Sequence, residues 1–217
     1  MCGRFTLTLD PIELKEFFDL ADIPEEWSQR FNIAPSQPVA VLTNPDIRRI
    51  EFFQWGLVPS WAKDPSIGSR MINARSETIA EKPSFRSALA RRRCLILADG
   101  FYEWKKVGGK SPSVPFYFKF KDNEPFAFAG LWEQWQPPAG DLLKSCTIVT
   151  CAANELVGTV HDRMPVILDA AHSWQWLEKR TQEDLLSMLR PYPADLMTAY
   201  PVGRNVNSPA NDDLSLI

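Results

Sequence analysis

From residue 94 to residue 153 the chain reads as short apolar and aromatic runs broken by turn residues: CLILAD, FYEWKK, the turn VGGK, PFYFKF, the turn KDNEP, FAFAGLWEQW and SCTIVTCAA. Runs of strand length joined by such short turns pair with their neighbours in sequence, and neighbours joined tightly run antiparallel. No regular alternation of strand and helix interrupts them, so a doubly wound parallel sheet is not expected. The expectation is an α+β fold in a single domain over residues 1–217. Its sheet is largely antiparallel but mixed and barrel-like, with flanking helices and a C-terminal tail, about 205–217, that is free to be flexible.

Helix signals lie outside that run. In DPIELKEFFDLA, Asp10 can cap, Pro11 suits the first helical position, Glu13 completes a capping box, and Leu14, Phe17, Phe18 and Ala21 form an apolar stripe. PVAVLTNPDIRRIEFFQW predicts a hairpin turning at Asn44, Pro45 and Asp46. A short helix is expected near PSFRSALARR, and two more in DAAHSWQWLEK and TQEDLLSMLR, capped by Asp169 and Thr181.

Several function classes fall away. No run of roughly 18 apolar residues is present and the first residues lack the basic-then-apolar layout of a signal peptide, so a cytoplasmic protein without membrane insertion is expected. The four cysteines, at 2, 94, 146 and 151, have no metal-ligand spacing, and the chain holds only two histidines. Neither a metal nor another cofactor is therefore expected. Cys94, Cys146 and Cys151 read as buried strand residues. A net charge of −3 argues against coating nucleic acid through bulk charge, so any such contact must use a local cluster. The run Arg91, Arg92 and Arg93 closes a helix, where the helix dipole explains it as well as a nucleic acid would. His172 lies on an amphipathic helix and reads as structural.

Cys2 is the unusual residue. Removal of Met1 would leave an α-amine and a thiol on adjacent carbons. The α-amine titrates near ~7.7–8.0 against about 10.4 for lysine, so more of it is uncharged at neutral pH. Once such an amine forms an imine with an aldehyde, the thiol is held within bonding reach, and closure to a five-membered thiazolidine should follow. Other polar residues sit where folding gives no obvious reason for them. In MINARSET, Asn73 and Arg75 are two apart and share a face of an extended segment. Glu103 lies between Tyr102 and Trp104 in DGFYEW, where burial would raise its pKa toward proton-transfer duty. His161 and Arg163 precede the apolar strand of VHDRMPVIL.

These stretches resemble the SOS-response-associated peptidase family, whose members capture abasic sites in single-stranded DNA. MCGRF, RFNIAPSQPV, WGLVPSWA, MINARSET, CLILADGFYEW, FAFAGLWE, TIVTCAAN and HDRMPVIL stand in that family's order and span nearly the whole chain. The resemblance implies that Cys2, freed of Met1, crosslinks to the ring-opened aldehyde as a thiazolidine and shields the lesion, through lyase-type Schiff-base chemistry. Asn73 would position the N-terminus or the sugar, Glu103 would shuttle protons, and His161 would assist ring opening and crosslink reversal. Arg4, Arg75 and Arg163 would hold phosphates, and Pro35 and Trp61 would wedge against bases beside the lesion. The implied partner is single-stranded DNA containing abasic sites, bound by a monomer that joins the nucleoid when on DNA. The family name also carries a peptidase activity, supported by removal of the residue before the cysteine. Two alternatives stay open: an N-terminal-nucleophile cysteine peptidase or hydrolase, and a non-catalytic single-strand binder in which Cys2 is incidental.

Overall fold

The computed structural model describes residues 2–108 and 112–217, and its strands part into two sheets at Asp99. In chain order the first elements are β1 (Arg4–Leu7), α1 (Pro11–Phe17), β2 (Arg30–Ile33), β3 (Pro38–Leu42), β4 (Glu51–Trp55), β5 (Asn73–Arg75) and α2 (Arg86–Arg91). There follow β6 (Arg93–Ala98), β7 (Gly100–Lys105), β8 (Val114–Phe120), β9 (Phe126–Trp135), β10 (Leu143–Ala152) and α3 (Glu155–Gly158). The last are β11 (Arg163–Pro165), β12 (Ile167–Leu168), α4 (Ala170–Leu177), α5 (Gln182–Ser187) and β13 (Met197–Pro201).

Five strands close on themselves. β3 pairs antiparallel with β4 and β6, β6 with β9, and β9 with β10, while β10 meets β4 in parallel to complete the ring. β5 and β11 attach to β10, and β12 to β9. The second sheet is open, in the order β13, β8, β7, β1, β2, with every pairing antiparallel. The fold is therefore the α+β, single-domain, barrel-like arrangement expected from the strand run.

The main core fills the barrel and the space under the open sheet. Phe5 of β1 reaches across to Trp55 and Phe128 at ring separations of 5.2 and 5.5 Å, edge to face, which ties the open sheet to the barrel. Burying side chains of this size contributes roughly 1.5–3 kcal/mol each. Cys94 and Cys146 lie in this core as unpaired thiols, fully buried, and Cys151 is nearly so. Trp176 of α4 donates to the carbonyls of Cys94 and Gly130, which seats that helix on the barrel wall.

Local signals and structure agree where the signal is a cap or a tight turn. Asp10 and Glu13 form the capping box of α1, Thr181 and Asp184 that of α5, and Asp169 caps α4. The β3–β4 hairpin turns at Asn44, whose Oδ1 accepts from the amides of Asp46 and Ile47. The expected turn VGGK runs into Gly109 and Lys110, outside the described residues.

The C-terminal segment departs from expectation. Rather than a loose tail, residues 204–217 lie against β1, β2 and β7, with Val206 and Leu216 buried beside Tyr102 and Tyr117. Asp212 accepts from the backbone amides of Phe31 and Asn32 and from the Arg30 side chain. Its polar side chains satisfy the exposed edge of β2.

Candidate active site

Strand pairing brings the candidate residues to one end of the molecule. β1 and β7 pair with Arg4 opposite Tyr102 and Phe5 opposite Phe101. Continuing that register puts Gly3 opposite Glu103 and Cys2 at the same strand end. β5 runs beside β10 with Asn73 opposite Ile148, and β11 pairs with β10 with Arg163 opposite Ala152, so Asn73 and the turn holding His161 flank one strand. Asn73 links the two sheets, its Nδ2 donating to the Cys2 carbonyl at 2.8 Å.

Glu103 owes its setting to strand alternation. Phe101 faces the main core, stacked on Phe118, whereas Tyr102 faces the smaller cluster and donates its hydroxyl to the Phe31 carbonyl. Two residues beyond Phe101, Glu103 shares the core-facing side. It is only 3% exposed, and burial pushes its pKa up to about 7, with Asp162 acting in the same direction. Near neutrality this carboxyl divides between acid and base forms.

Cys2 is fully buried, and burial, followed by the Glu103 charge, holds its thiol well above the ordinary range. The thiol is therefore protonated at neutral pH and is not a standing thiolate nucleophile. Asn73 is half-buried, and its Oδ1 is buried without a hydrogen-bond partner among the described residues. Met1 lies outside the described residues.

His161 sits in the turn before β11. Its Nδ1 lies 3.0 Å from the Arg163 backbone N–H and also 3.0 Å from an Asp162 carboxylate oxygen. The second contact is an ion pair only when the ring is protonated. Burial lowers the His161 pKa, so we assign a neutral ring in which Nδ1 accepts from Arg163 and Nε2 carries the proton.

The arginines divide. Arg75 is exposed at the end of β5. Arg4 is engaged internally, with Nη1 on the Val206 carbonyl at 2.6 Å and Asn32 Oδ1 at 2.8 Å, and Nη2 on the Asn207 carbonyl at 3.1 Å. Arg163 forms a two-pronged ion pair with Glu77 and donates to the Thr150 carbonyl at 2.7 Å, leaving its side chain 14% exposed. Glu77, Asn32 and the C-terminal carbonyls were not legible as partners, because each lies far off in sequence.

Pro35 is half-buried in the turn after β2, and Trp61 is 59% exposed. Trp61 edges a cleft with Lys63 and Arg70. Two glycines let its loop close. A Cβ on Gly56, at φ +124°, would meet the Gly68 carbonyl oxygen at 2.7 Å, and one on Gly68 would meet the Gly56 oxygen at 2.6 Å. Among the described residues no cluster of three His, Cys, Asp or Glu side chains could hold a metal ion, and no helix is long and apolar enough to cross a membrane.

Comparison with known proteins points to one family. The family described as SOS response associated peptidase (SRAP) matches residues 1–209. The abasic site processing protein YoqW of Bacillus subtilis (strain 168) is 48% identical over 222 residues, covering 100% of this chain and 99% of that protein. The abasic site processing protein HMCES of Rattus norvegicus is 33% identical over 230 residues, covering 87% of this chain and 64% of the rat protein. Among solved structures, a protein from Bacteroides thetaiotaomicron superposes with a TM-score of 0.90 at 24% identity over 99% of this chain and 97% of that one, a likeness of fold. One from Bordetella bronchiseptica superposes at 0.78 with 29% identity, covering 93% of this chain and 100% of that one.

Proposed function

The chain belongs to the SOS response associated peptidase family, and from that premise we propose that it processes abasic sites in DNA by forming a covalent thiazolidine with Cys2. The observation that carries this reading is the junction of the two sheets: Asn73 anchors the Cys2 carbonyl at 2.8 Å, at the strand end where the buried Glu103 titrates at about 7.

The order of bond formation follows from the protonation states. With the Cys2 thiol held protonated, the α-amine freed by loss of Met1 is the better first nucleophile toward the ring-opened sugar aldehyde. Its nitrogen attacks the carbonyl carbon, and the resulting carbinolamine loses water when an acid protonates the departing hydroxyl. Glu103, half-protonated near neutral pH, supplies that proton. The same carboxylate then takes the S–H proton as sulfur adds to the iminium carbon, closing the ring. One molecule of water leaves overall. Saturating the imine carbon also removes the electron sink needed for β-elimination, so the strand stays intact.

His161 serves the step before. With Nδ1 accepting from the Arg163 amide, the neutral ring offers Nε2–H as a hydrogen-bond donor to the sugar ring oxygen, which takes up the proton of the anomeric hydroxyl through water as the hemiacetal opens to the aldehyde. The Oδ1 of Asn73, which has no hydrogen-bond partner among the described residues, suits an amine N–H as acceptor. Arg75 offers an exposed cation for phosphate, and Trp61 with Pro35 offers surfaces that tolerate any base in a single strand. The protonated thiol disfavours a cysteine peptidase that needs a ready thiolate.

The test is intact mass spectrometry after incubation with an oligonucleotide carrying one abasic position. Protein lacking Met1 should gain the oligonucleotide mass less one water and keep it through denaturation, whereas Cys2→Ala should gain nothing. Recovery of both molecules unmodified from protein that has lost Met1 sinks the reading. Peptide turnover that depends on Cys2 and ignores abasic DNA would replace it with a peptidase.

A further inference from the structure

We propose that residues 204–217 form a positioning strap for the reaction, holding β1 and β7 together so that the strand ends bearing Cys2 and Glu103 keep their separation. The inference rests on the crosslinking function proposed above and assigns that function a further residue, Asn207.

Asn207 touches both strands. Its backbone carbonyl accepts from Arg4 Nη2 at 3.1 Å, two residues along β1 from Cys2, while its side-chain Oδ1 accepts from Trp104 Nε1 at 2.8 Å, next to Glu103 on β7. Val206, one residue before it, receives Arg4 Nη1 at 2.6 Å, and the Arg4 guanidinium carbon lies 6.0 Å from the Trp104 ring centre. One short stretch of chain thus grips both strands within two residues of the groups that react.

The strap is itself fixed firmly enough to transmit position. The side-chain amide of Asn32, fully buried, donates to the carbonyls of Val206, Ser208 and Asn211 at 3.1, 2.9 and 2.8 Å. Asn32 also accepts from Arg4 at 2.8 Å, so it belongs to the same network. Asp212 fastens the far side of the strap to the amides of Phe31 and Asn32, and Val206 and Leu216 bury against Tyr102 and Tyr117. A segment needed only to cover apolar surface would have no use for a buried asparagine with three backbone acceptors. Misplacement of a reacting group by about 1 Å costs on the order of 10²-fold in rate, so a clamp at this point sets the reaction rate.

Asn207→Ala removes the Trp104 acceptor and keeps the backbone carbonyl used by Arg4; Asn207→Asp keeps both. Single-turnover crosslinking of an abasic oligonucleotide separates maximal rate from half-saturating concentration. Asn207→Ala is expected to lower the maximal rate about 10-fold, with the half-saturating concentration held within about 2-fold, and Asn207→Asp to recover most of the rate. A wild-type maximal rate in Asn207→Ala overturns the proposal. So does a change confined to the half-saturating concentration, which would make the strap a DNA-binding surface. Alkylation of the Cys2 thiol by iodoacetamide, mapped by mass, gives a readout that needs no DNA: a loosened strap should raise it several-fold, and an unchanged rate overturns the strap alone. Failure of the wild-type protein to crosslink at all sinks the proposed function instead.

Discussion

Asp99 and Glu103 stand four residues apart, Asp99 half-buried just before β7 and Glu103 buried within it, both with raised pKa values, yet they are held by different company. Asp99 accepts from the Thr6 hydroxyl on one oxygen and from the Thr8 amide and hydroxyl on the other, and its own amide donates to the Thr6 carbonyl. All these partners belong to β1 or the residue just after it, so Asp99 fastens the corner where the two sheets part. Glu103, at the far end of the same ladder, lies beside Cys2 and within electrostatic reach of Asp162. A raised pKa alone therefore does not mark a candidate for proton transfer. A carboxylate surrounded by fixed donors braces the fold, and one beside the Cys2 thiol is placed for the proton transfers proposed above.

The sharpest way to break that contrast is to neutralise each end in turn. Glu103→Gln should slow single-turnover crosslinking by about 10²–10⁴-fold, the usual contribution of a positioned acid-base group, with no loss of thermal stability. Unchanged kinetics would remove Glu103 from the mechanism. Asp99→Ala should do the reverse. Loss of several bonds to one half-buried carboxyl costs about 3 kcal/mol, or roughly a 10 °C fall in melting temperature for a chain of this length. The crosslinking rate of the fraction still folded should hold to a far greater degree. If the two variants gave the same pattern, the distinction between the strand ends would be empty.

The next test uses pH. Glu103 is raised from its ordinary 4.5 to about 7, so between those values the folded state keeps a proton that the unfolded chain has released. The stability tied to that proton is fully present below about 4.5 and is lost as pH rises through about 7. Relative to wild type, Glu103→Gln should be equally stable near pH 4 and more stable at pH 8, by up to about 3 kcal/mol. Denaturant unfolding across pH measures this directly. Parallel curves for the two proteins would mean that Glu103 titrates normally.

How far the sequence foretold all this depends on the range of each interaction. Helix caps at Asp10, Asp169 and Thr181 and the hairpin at Asn44 were legible because the partners lie within a few residues. The strand run foretold a mainly antiparallel sheet. It could not foretell the parallel β4–β10 pairing that closes the barrel, since a strand's own pattern does not name its distant neighbour. Cys2, Asn73, Glu103 and His161 stood out as polar or reactive residues in apolar settings or in motifs that resemble the family. Asn32, Asp99, Trp104 and Asn207 did not, because nothing local distinguishes an asparagine that fastens a strap from one in a surface turn. The terminal segment misled for the same reason, its polar residues meeting β2 and β1 from some 200 positions away.

The arginines extend the comparison from carboxylates to cations, with a smaller expected effect. By residue type Arg75 and Arg163 are equal candidates for phosphate, and they sit on strands that flank β10. Their surroundings separate them: Arg163 is locked to Glu77 and the Thr150 carbonyl, and it holds the Glu77 carboxyl below its ordinary pKa, whereas Arg75 is exposed. A phosphate would have to displace Glu77 from Arg163 but would find the Arg75 side chain exposed. Arg75→Ala should therefore weaken binding to any single strand and lower the slope of log affinity against log salt by about 0.7, the value for one phosphate contact. Arg163→Ala should leave that slope nearly unchanged and instead destabilise the turn that carries His161. Binding isotherms at several salt concentrations decide the matter. A slope that falls for Arg163→Ala and holds for Arg75→Ala would mean that Glu77 yields its partner to DNA, and that internal ion pairing in the free protein does not report which cation reads the backbone.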